Sequence, residues 1–227
     1  MQKVAVIGLG RFGMALAENL AREGIEVVAI DYDADVVNTV KDKVALAVQA
    51  DASELETQRS LGLGRLDTVV IAIGENFEAC ELAMLASLDL DGPKVIARAN
   101  DRVKETILRR LGAHEVILPE EQAAIKLAQR LAKPSLLEAV DIGSEHSFVQ
   151  VKAPKGVLGK TLMELELRKR FGVNLVAIRR PEVGAGPGAG GESIAIPGPE
   201  TVPEDGDVLM LVGQNRNIDR FLRETEE

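Results

Sequence analysis

The chain has 227 residues, of which 46% are hydrophobic, and its 36 acidic and 27 basic side chains give a net charge of -9. This acidic balance disfavours a nucleic-acid partner, because the basic residues do not cluster beyond Arg168, Lys169 and Arg170. A single cysteine, Cys80, excludes an internal disulfide, and with no signal peptide and no apolar run near the roughly eighteen residues of a membrane span it favours a cytoplasmic protein without membrane insertion.

The first predicted strand, at residues 4–7, runs into three glycines with the spacing G-x-G-x-x-G, and an Ala- and Leu-rich helical pattern follows. Gly8 permits the tight turn, Gly10 lets phosphates approach the backbone, and Gly13 lets the helix pack close to the strand. Free N–H groups at the helix start then face the phosphates. The pattern predicts a site for an adenine nucleotide or dinucleotide; the alternative is a glycine turn that packs helix on strand and binds nothing.

Charged residues on both sides of this turn bear on the ligand. A second strand, at residues 27–30, ends at Asp31, about twenty residues past the glycines, where a carboxylate accepts hydrogen bonds from ribose hydroxyls. Asp31 and Asp33 repel a 2′-phosphate, which favours NAD, ATP or ADP over NADP. Arg11 lies inside the glycine loop and suits a terminal phosphate, although a solvated arginine is the alternative.

Strand signals alternate with amphipathic helical stretches over the first 120 residues, near Val4, Val27, Ala45, Val69, Val95 and Val116. This alternation predicts an α/β fold with a Rossmann-like, doubly wound parallel sheet. In such sheets ligands lie beyond the carboxyl ends of the strands. The candidate site residues there are Gly8 to Gly13 after the first strand, Asp31 to Asp33 after the second, Asp51 and Ala52 after the third, Ile73, Gly74, Glu75 and Asn76 after the fourth, and Arg98 at the fifth.

A helical segment at residues 121–132 follows the predicted sheet. It places Ala124, Leu127, Ala128 and Leu131 on one stripe, which serves either as a dimer contact or as a cover for the sheet. A break at residues 133–135 contains Pro134, and we place the domain boundary there. The predicted domains are therefore 1–134 and 135–227.

The last ninety residues predict a small α+β domain. Its strands are expected at 136–142, 147–152, 173–179, 192–196 and 207–212, and its helices at 162–171 and 218–224. Residues 184–191 are glycine-rich and cannot bury enough apolar surface to order themselves, so a mobile surface loop is expected.

The stretch at residues 156–161, GVLGKT, resembles the end of a phosphate-binding P-loop. That motif requires glycine at position 154, where this chain has Pro154. The preferred interpretation is a helix start capped by Thr161, with Glu164 completing a capping box.

Residues for catalysis are scarce. A dehydrogenase needs a proton donor or acceptor beside the nicotinamide, but His114 and His146 are expected at the surface, and Tyr32 has no lysine four residues on. Cys80 is expected to be a packed helix thiol, and no histidine or cysteine spacing indicates a transition metal.

Further stretches carry a resemblance to a known family. They are residues 6–13, 29–31, 49–52, 72–79 and 112–120 in the first half, and 158–162, 171–173, 177–180 and 204–209 in the second. In this order they resemble the cytosolic regulatory subunits of bacterial Trk/Ktr-type potassium uptake systems, which are built of RCK domains.

The resemblance implies a ligand, an assembly and roles for named residues. The first domain would bind ATP or ADP, or NAD(H) as in the Trk branch, and homodimers would form an octameric ring under a membrane-embedded potassium-translocating subunit. It implies that Gly8, Gly10, Arg11, Phe12 and Gly13 hold the phosphates, Asp31 the ribose, and Asp51 and Ala52 the adenine, while Gly74 and Glu75 line the pocket. Glu120 matches an acidic residue near a cation between subunits. A second-messenger site, such as one for cyclic di-AMP, stays open.

These inferences predict a regulator that senses a nucleotide and is not an enzyme. Ligand exchange would change the angle between paired first domains and so gate a potassium channel or transporter. The alternatives are an NAD-dependent oxidoreductase and a nucleotide sensor with a soluble partner.

Overall fold

The structure is a computed structural model, and it describes residues 2–181 and 192–226. Two compact units divide the chain, Met1–Ala123 and Ala124–Glu227. The predicted domain boundary at residue 134 stays a prediction, and the predicted glycine-rich loop at 184–191 lies outside the described residues. Within the described ranges, no helix combines the length and hydropathy that crossing a membrane requires.

The first unit contains the predicted parallel sheet. Its strands are β1 (Lys3–Ile7), β2 (Glu26–Asp31), β3 (Leu46–Gln49), β4 (Thr68–Ile71), β5 (Lys94–Arg98) and β6 (Glu115–Ile117), in the order β3-β2-β1-β4-β5-β6. The helices are α1 (Arg11–Arg22), α2 (Ala34–Val40), α3 (Leu55–Ser60), α4 (Phe77–Leu88), α5 (Arg102–Arg110) and α6 (Pro119–Ala132), which continues into the second unit. All neighbouring strands pair in parallel, which confirms the α/β prediction.

Both faces of this sheet are buried, because its strands are apolar at odd and at even positions. Val4 and Val6 of β1 belong to the core that includes residues of α1 and α2. Ala5 and Ile7 point to the other face and belong to the core that includes residues of α4 and α5. Strand order reverses at β1, between β2 and β4, so the carboxyl ends there form the crevice in which α/β sheets bind ligands.

The second unit is a small α+β domain, as predicted. Its strands are β7 (Leu136–Asp141), β8 (His146–Lys152), β9 (Val173–Pro181), β10 (Glu192–Ala195) and β11 (Val208–Gln214), in the antiparallel order β10-β9-β11-β8-β7. The helices are α7 (Leu162–Leu165), α8 (Leu167–Phe171) and α9 (Asn215–Thr225). Phe171 of α8 and Phe221 of α9 meet edge to face at 5.4 Å in its core.

One predicted helix of this unit is wrong. Residues 162–171 form two short helices, because Glu166 has a left-handed backbone with φ 44°. The two leucines that flank it, Leu165 and Leu167, are both buried in the same core. Residues two apart face different sides of a continuous helix. The break at Glu166 therefore allows both leucines to enter the core.

Candidate functional site

A cavity of about 1590 Å³ lies at the carboxyl ends of β1, β2, β4 and β5 in the first unit. Its walls include all the predicted cofactor-binding residues except Gly13. These are Gly8, Gly10, Arg11, Phe12, Asp31, Asp51, Ala52, Ile73, Gly74, Glu75 and Arg98, and Glu120 lines the cavity with them. The fold thus brings together residues that the chain separates by more than a hundred positions.

The three glycines occupy different surroundings. Gly8 has φ +90°, and a Cβ there would lie 2.8 Å from the Ile73 side chain. A Cβ on Gly13 would lie 1.9 Å from the carbonyl oxygen of Gly8, so the close approach of helix to strand requires glycine. A Cβ on Gly10 would meet no atom within 4 Å. Gly10 is therefore free of a packing constraint, and the space beside it belongs to the cavity.

The N-terminus of α1 faces this cavity through Gly10, Arg11 and Phe12. Within the described part of the chain, no side chain caps the helix at Gly10. The N–H groups of a first helical turn have no intrahelical acceptor and carry a partial positive charge. An uncapped helix start beside a cavity is suited to bind a phosphate group.

Asp31 connects β2 to the glycine loop. Its Oδ2 accepts a hydrogen bond from the backbone N–H of Leu9 at 2.6 Å, and its Oδ1 accepts one from the N–H of Asp33 at 3.0 Å. The carboxylate is half-buried and lines the cavity. Each carboxylate oxygen has a further lone pair for a ligand hydroxyl. The sequence pattern missed the contact with Leu9, because the G-x-G-x-x-G spacing does not identify the partner of a backbone N–H.

Two guanidinium groups lie among the carboxylates of the cavity. Arg11 is exposed and has no ion-pair partner in the described ranges. The Arg98 side chain is only 17% exposed, forms an ion pair with Glu120, and lies with its Cζ 5.6 Å from the centre of the Phe12 ring. The acidic residues that line the same cavity are Asp31, Asp33, Asp51, Glu75, Glu78 and Glu120. Phosphate groups would find their cationic partners at the glycine loop and at the end of β5.

Glu120 lies in the first turn of α6, and its side chain is 59% exposed. The pKa of Glu120 is lowered, chiefly by a hydrogen bond from its own backbone N–H; burial opposes this shift, and the Arg98 guanidinium adds to it. Among residues 2–181 and 192–226, no group of three or more His, Cys, Asp and Glu side chains is placed to hold a metal ion. A cation at Glu120 would therefore need ligands from elsewhere, and this role stays a prediction.

The predicted adenine end of the cavity is built on Asp51 and Ala52. Asp51 Oδ1 accepts hydrogen bonds from the Ser53 hydroxyl at 2.6 Å and from the Ser53 backbone N–H at 2.9 Å. These two bonds lower the pKa of Asp51. The carboxylate therefore stays ionised at neutral pH and holds the turn that follows β3.

A buried amide supports this turn from behind. Gln58 of α3 is fully buried, and its Nε2 donates to the carbonyl oxygens of Ala52 at 2.7 Å and Ala83 at 2.8 Å. Its Oε1 accepts a hydrogen bond from the hydroxyl of Ser87 at 2.7 Å. No motif in the sequence indicates this network. Its signal is a glutamine three residues after Leu55, on the same face of α3.

Neither histidine lines the cavity, and Cys80 does not line it either. Both histidines are exposed, as predicted, and His114 Nδ1 accepts a hydrogen bond from the N–H of Val95 at 3.0 Å. Burial raises the pKa of the Cys80 thiol to about 11, so it stays protonated, which agrees with a packed thiol.

The capping box of Thr161 and Glu164 is present at the start of α7, as expected for a capped helix start and not for a P-loop.

A smaller cavity of about 360 Å³ lies in the second unit, between α7, α8 and the start of β9. Its walls carry Arg168 and Lys169 together with Asn174. It is less than a quarter of the volume of the first cavity. The cavity of the first unit is therefore the main candidate for a functional site.

Two family models of known proteins match this chain, one within each unit. Residues 4–119 match the family model of the TrkA-N domain, and residues 147–225 match that of the TrkA-C domain. The chain is 34% identical over 220 residues to the Ktr system potassium uptake protein C of Bacillus subtilis (strain 168), covering 97% of this chain and 96% of the relative. It is 32% identical over 223 residues to the Ktr system potassium uptake protein A of that organism, covering 98% and 96%.

A solved structure, described as the GsuK channel bound to NAD, has the same fold. It superposes on 100% of this chain and 39% of that longer chain with a TM-score of 0.62, at 16% sequence identity. At this identity the likeness shows the fold alone.

Proposed function

Because the chain belongs to the TrkA-N and TrkA-C family, which includes Ktr-system potassium uptake proteins, we propose that it is a nucleotide-sensing regulatory subunit of such a system. It would gate a membrane potassium-translocating subunit from the cytoplasmic side. The observation that carries the proposal is the cavity at the strand ends, with an uncapped helix start on one side and Asp31 on the other. These two features suit the phosphates and the ribose of one nucleotide.

The ligand that this cavity suits best is ATP or ADP, with NAD(H) as the second candidate. Asp31 would bind the ribose, and Asp51 and Ala52 would lie along the adenine. Arg11 and Arg98 place two cations on the phosphate side. The diphosphate of NAD offers them one phosphate group fewer than the triphosphate of ATP and no terminal phosphate, which favours ATP.

Gating requires that the ligand bind one state of the assembly more tightly than another. The apolar stripe of α6 offers a surface on which two copies would pair, since Leu127 and Leu131 are 46% and 70% exposed in the single chain. Homodimers would then assemble into an octameric ring against the membrane subunit. Glu120 would supply one ligand of a cation shared between two copies.

The proposed role involves no chemistry on the ligand. An NAD-dependent oxidoreductase needs a proton donor or acceptor beside the nicotinamide. The wall of the cavity carries arginines and carboxylates but neither histidine nor lysine, and its one tyrosine, Tyr32, is 79% exposed. This composition favours a binding role, and turnover of NADH with any substrate by the purified protein would contradict it.

The first experiment measures thermal stability of the purified full chain with ATP, ADP, NAD and NADH in turn. A ligand at a hundred times its dissociation constant stabilises the folded state by about 2.7 kcal/mol. We expect stabilisation by adenine nucleotides that disappears in Asp31→Ala. The matched control is Asp35→Ala, which removes an exposed carboxylate outside the cavity wall. No stabilisation of the unaltered chain by any of the four ligands would contradict nucleotide binding.

The second experiment tests gating. The chain is reconstituted with a membrane potassium-translocating subunit of the Ktr type in potassium-loaded vesicles, and potassium flux is measured with ATP and with ADP. We expect the flux to depend on which nucleotide is present, and to lose that dependence in Asp31→Ala. Equal fluxes with both nucleotides and with none would contradict the regulatory role.

A further inference from the structure

One side of the second unit carries four exposed arginines. Arg216, Arg220 and Arg223 stand at i, i+4 and i+7 on α9, so they share one side of that helix, opposite to its buried side. Folding adds Arg170 of α8 to them, because Arg220 Nη2 donates a hydrogen bond to the Arg170 carbonyl oxygen at 2.7 Å. We call these four side chains the arginine face.

The positive charge of the arginine face is not neutralised within the protein. None of its four guanidiniums forms an ion pair with a carboxylate of residues 2–181 and 192–226. The three guanidiniums of α9 each donate one hydrogen bond, in every case to an uncharged oxygen. A guanidinium has five N–H donors, so most of these donors remain available to a partner.

This arrangement is unfavourable for the helix alone. Arg216 and Arg220 are like charges four residues apart, which destabilises a helix. Arg216 also lies in the first turn of α9, where the helix dipole is positive and no acidic residue is present. Arg170 and Arg220 approach the same ring, with their Cζ atoms 5.0 Å and 5.9 Å from the centre of Phe171. A bound anion would relieve the repulsion among these charges.

The surroundings of the arginine face indicate the kind of anion. Neither of the two cavities described above is lined by any of its four residues, so the partner is itself a surface. The helices α8 and α9 expose no large apolar side chain, whereas protein–protein interfaces have an apolar core. A nucleic-acid partner is disfavoured by the net charge of -9 and by the absence of tryptophan.

A phospholipid surface meets these conditions. Its phosphates lie close together, and a guanidinium binds a phosphate through two parallel hydrogen bonds. Basic residues near an anionic leaflet each contribute to membrane binding within about one Debye length of the surface. Such a contact needs neither an apolar core nor an inserted segment.

We propose that the arginine face binds the anionic headgroups of a phospholipid membrane. This inference goes beyond the proposed function, because it does not depend on nucleotide binding. The contact is purely electrostatic and stays at the membrane surface. It would hold the chain at the membrane that contains the proposed potassium-translocating partner.

The test is flotation of the purified full chain with lipid vesicles that contain no membrane protein. One set of vesicles is phosphatidylcholine alone, and in the other about one third of the lipid is phosphatidylglycerol, which gives the negative surface that basic residues require. We expect binding to the second set only. Binding should occur at about 0.1 M potassium chloride and be lost at about 1 M, because the Debye length falls from about 10 Å to about 3 Å.

Two variants with the same net charge identify the surface that binds. The arginine-face variant carries Arg216→Gln, Arg220→Gln and Arg223→Gln. The control variant carries three substitutions at exposed arginines of the first unit, Arg22→Gln, Arg59→Gln and Arg110→Gln. We expect the first variant to lower the vesicle partition coefficient at least about tenfold and the control less than about twofold. Lysine at positions 216, 220 and 223 keeps the charge and should keep the binding.

Melting temperatures show whether a loss of binding comes from unfolding. The arginine-face variant should melt no lower than the unaltered chain, because it removes repulsion between like charges. Equal losses of vesicle binding in the two variants, binding to phosphatidylcholine alone, or no binding to either set of vesicles would overturn the proposal.

Two further probes distinguish other partners of the arginine face. A mixed-sequence DNA duplex or polyglutamate that binds this face, in a protein that ignores the vesicles, would overturn the lipid assignment. Stabilisation by ATP is measured on the same samples. A chain that is stabilised by ATP but does not bind vesicles contradicts this inference alone and leaves the proposed function intact.

Discussion

The two units bury their sheets in different ways. In the first, helices cover both faces of a parallel sheet, and apolar side chains alternate between two cores. In the second, the strands β8 and β11 bury every other residue, and one core lies on one face of an antiparallel sheet. Apolar residues on the strands of the second unit remain exposed, among them Val140, Val176 and Ile194.

Because of this difference, the two units have different surfaces available for binding. A sheet covered on both faces leaves only its strand ends for a ligand, and there the first unit has its large cavity. A sheet covered on one face leaves a broad surface instead. A substitution in one unit should therefore lower the exchange protection of that unit more than that of the other. Hydrogen–deuterium exchange, measured by mass spectrometry on peptides from each unit, can detect this.

The largest effect is expected for Gly13→Ala in the first unit. Its Cβ would lie 1.9 Å from the Gly8 carbonyl oxygen, so α1 must move away from the sheet. We expect a loss of about 4 kcal/mol in the free energy of unfolding, at the upper end for an overpacked site. The matched control is Gly10→Ala, which meets no atom and should change stability by less than about 1 kcal/mol while weakening nucleotide binding. Equal destabilisation by both variants would contradict the separate roles of the glycines.

The next effect belongs to the second unit. Asp207 is buried and accepts two hydrogen bonds from the Arg180 guanidinium and one from the Glu204 N–H. Asp207→Asn should lower the free energy of unfolding by about 3 kcal/mol, because it leaves Arg180 without its buried partner. Urea denaturation measures this loss, and the first unit should keep its exchange protection.

The same carboxylate predicts a pH dependence. Burial alone would raise the pKa of Asp207, but hydrogen bonds from Arg180 and Glu204 outweigh burial and lower it. A lowered pKa in the folded state contributes stability that is fully present above the unfolded value of about 3.9 and is lost as pH falls through the folded value. Urea denaturation between pH 7 and pH 3 should show this loss in the unaltered chain, and a smaller one in Asp207→Asn. An identical slope in both would contradict the assignment.

A smaller effect is expected for Gln58→Leu in the first unit. Leucine fits the volume but leaves the carbonyl oxygens of Ala52 and Ala83 without their buried donor, which costs about 2 kcal/mol. Exchange should rise in the peptide that contains Ala52, and adenine nucleotides should bind more weakly. Ser87→Ala removes only the hydroxyl at the other end of the network, and it should cost less. A variant as stable as the unaltered chain would show that the amide network is dispensable.

The smallest effect is expected for Thr161→Ala in the second unit. Thr161 and Glu164 form a reciprocal capping box at the start of α7. Its loss should cost about 1 kcal/mol, and Thr161→Ser should restore most of it. The melting temperature measures both. Equal melting temperatures for the alanine and serine variants would show that the hydroxyl does not stabilise the helix start.

The fold was largely predictable, because it follows from local patterns. The periodicity of apolar residues predicted both sheets, and the glycine spacing with Asp31 located the cavity. The break at Glu166 was not predictable from periodicity, since it depends on whether Leu165 and Leu167 enter the same core. Tertiary packing decides that, and it outweighs helix propensity.

The contacts that complete the site were less predictable than its residues. The sequence placed Arg98 and Glu120 near a ligand but did not show that they pair, because 22 positions separate them. It did not identify Gln58, whose amide matters through two carbonyl oxygens on different elements. Such contacts depend on where the backbone goes, which residue spacing does not encode.

The bond between Asp31 and the Leu9 N–H has a consequence for exchange of one ligand for another. This bond orders the glycine turn in the absence of a ligand. The entropic cost of ordering the turn is therefore part of the free energy of folding and not of the free energy of ligand binding. Replacement of one adenine compound by a competitor then requires no rearrangement of the cradle. Occupancy would follow the ratio of the competitors in the cell, so the protein would report that ratio and not the absolute level of either compound.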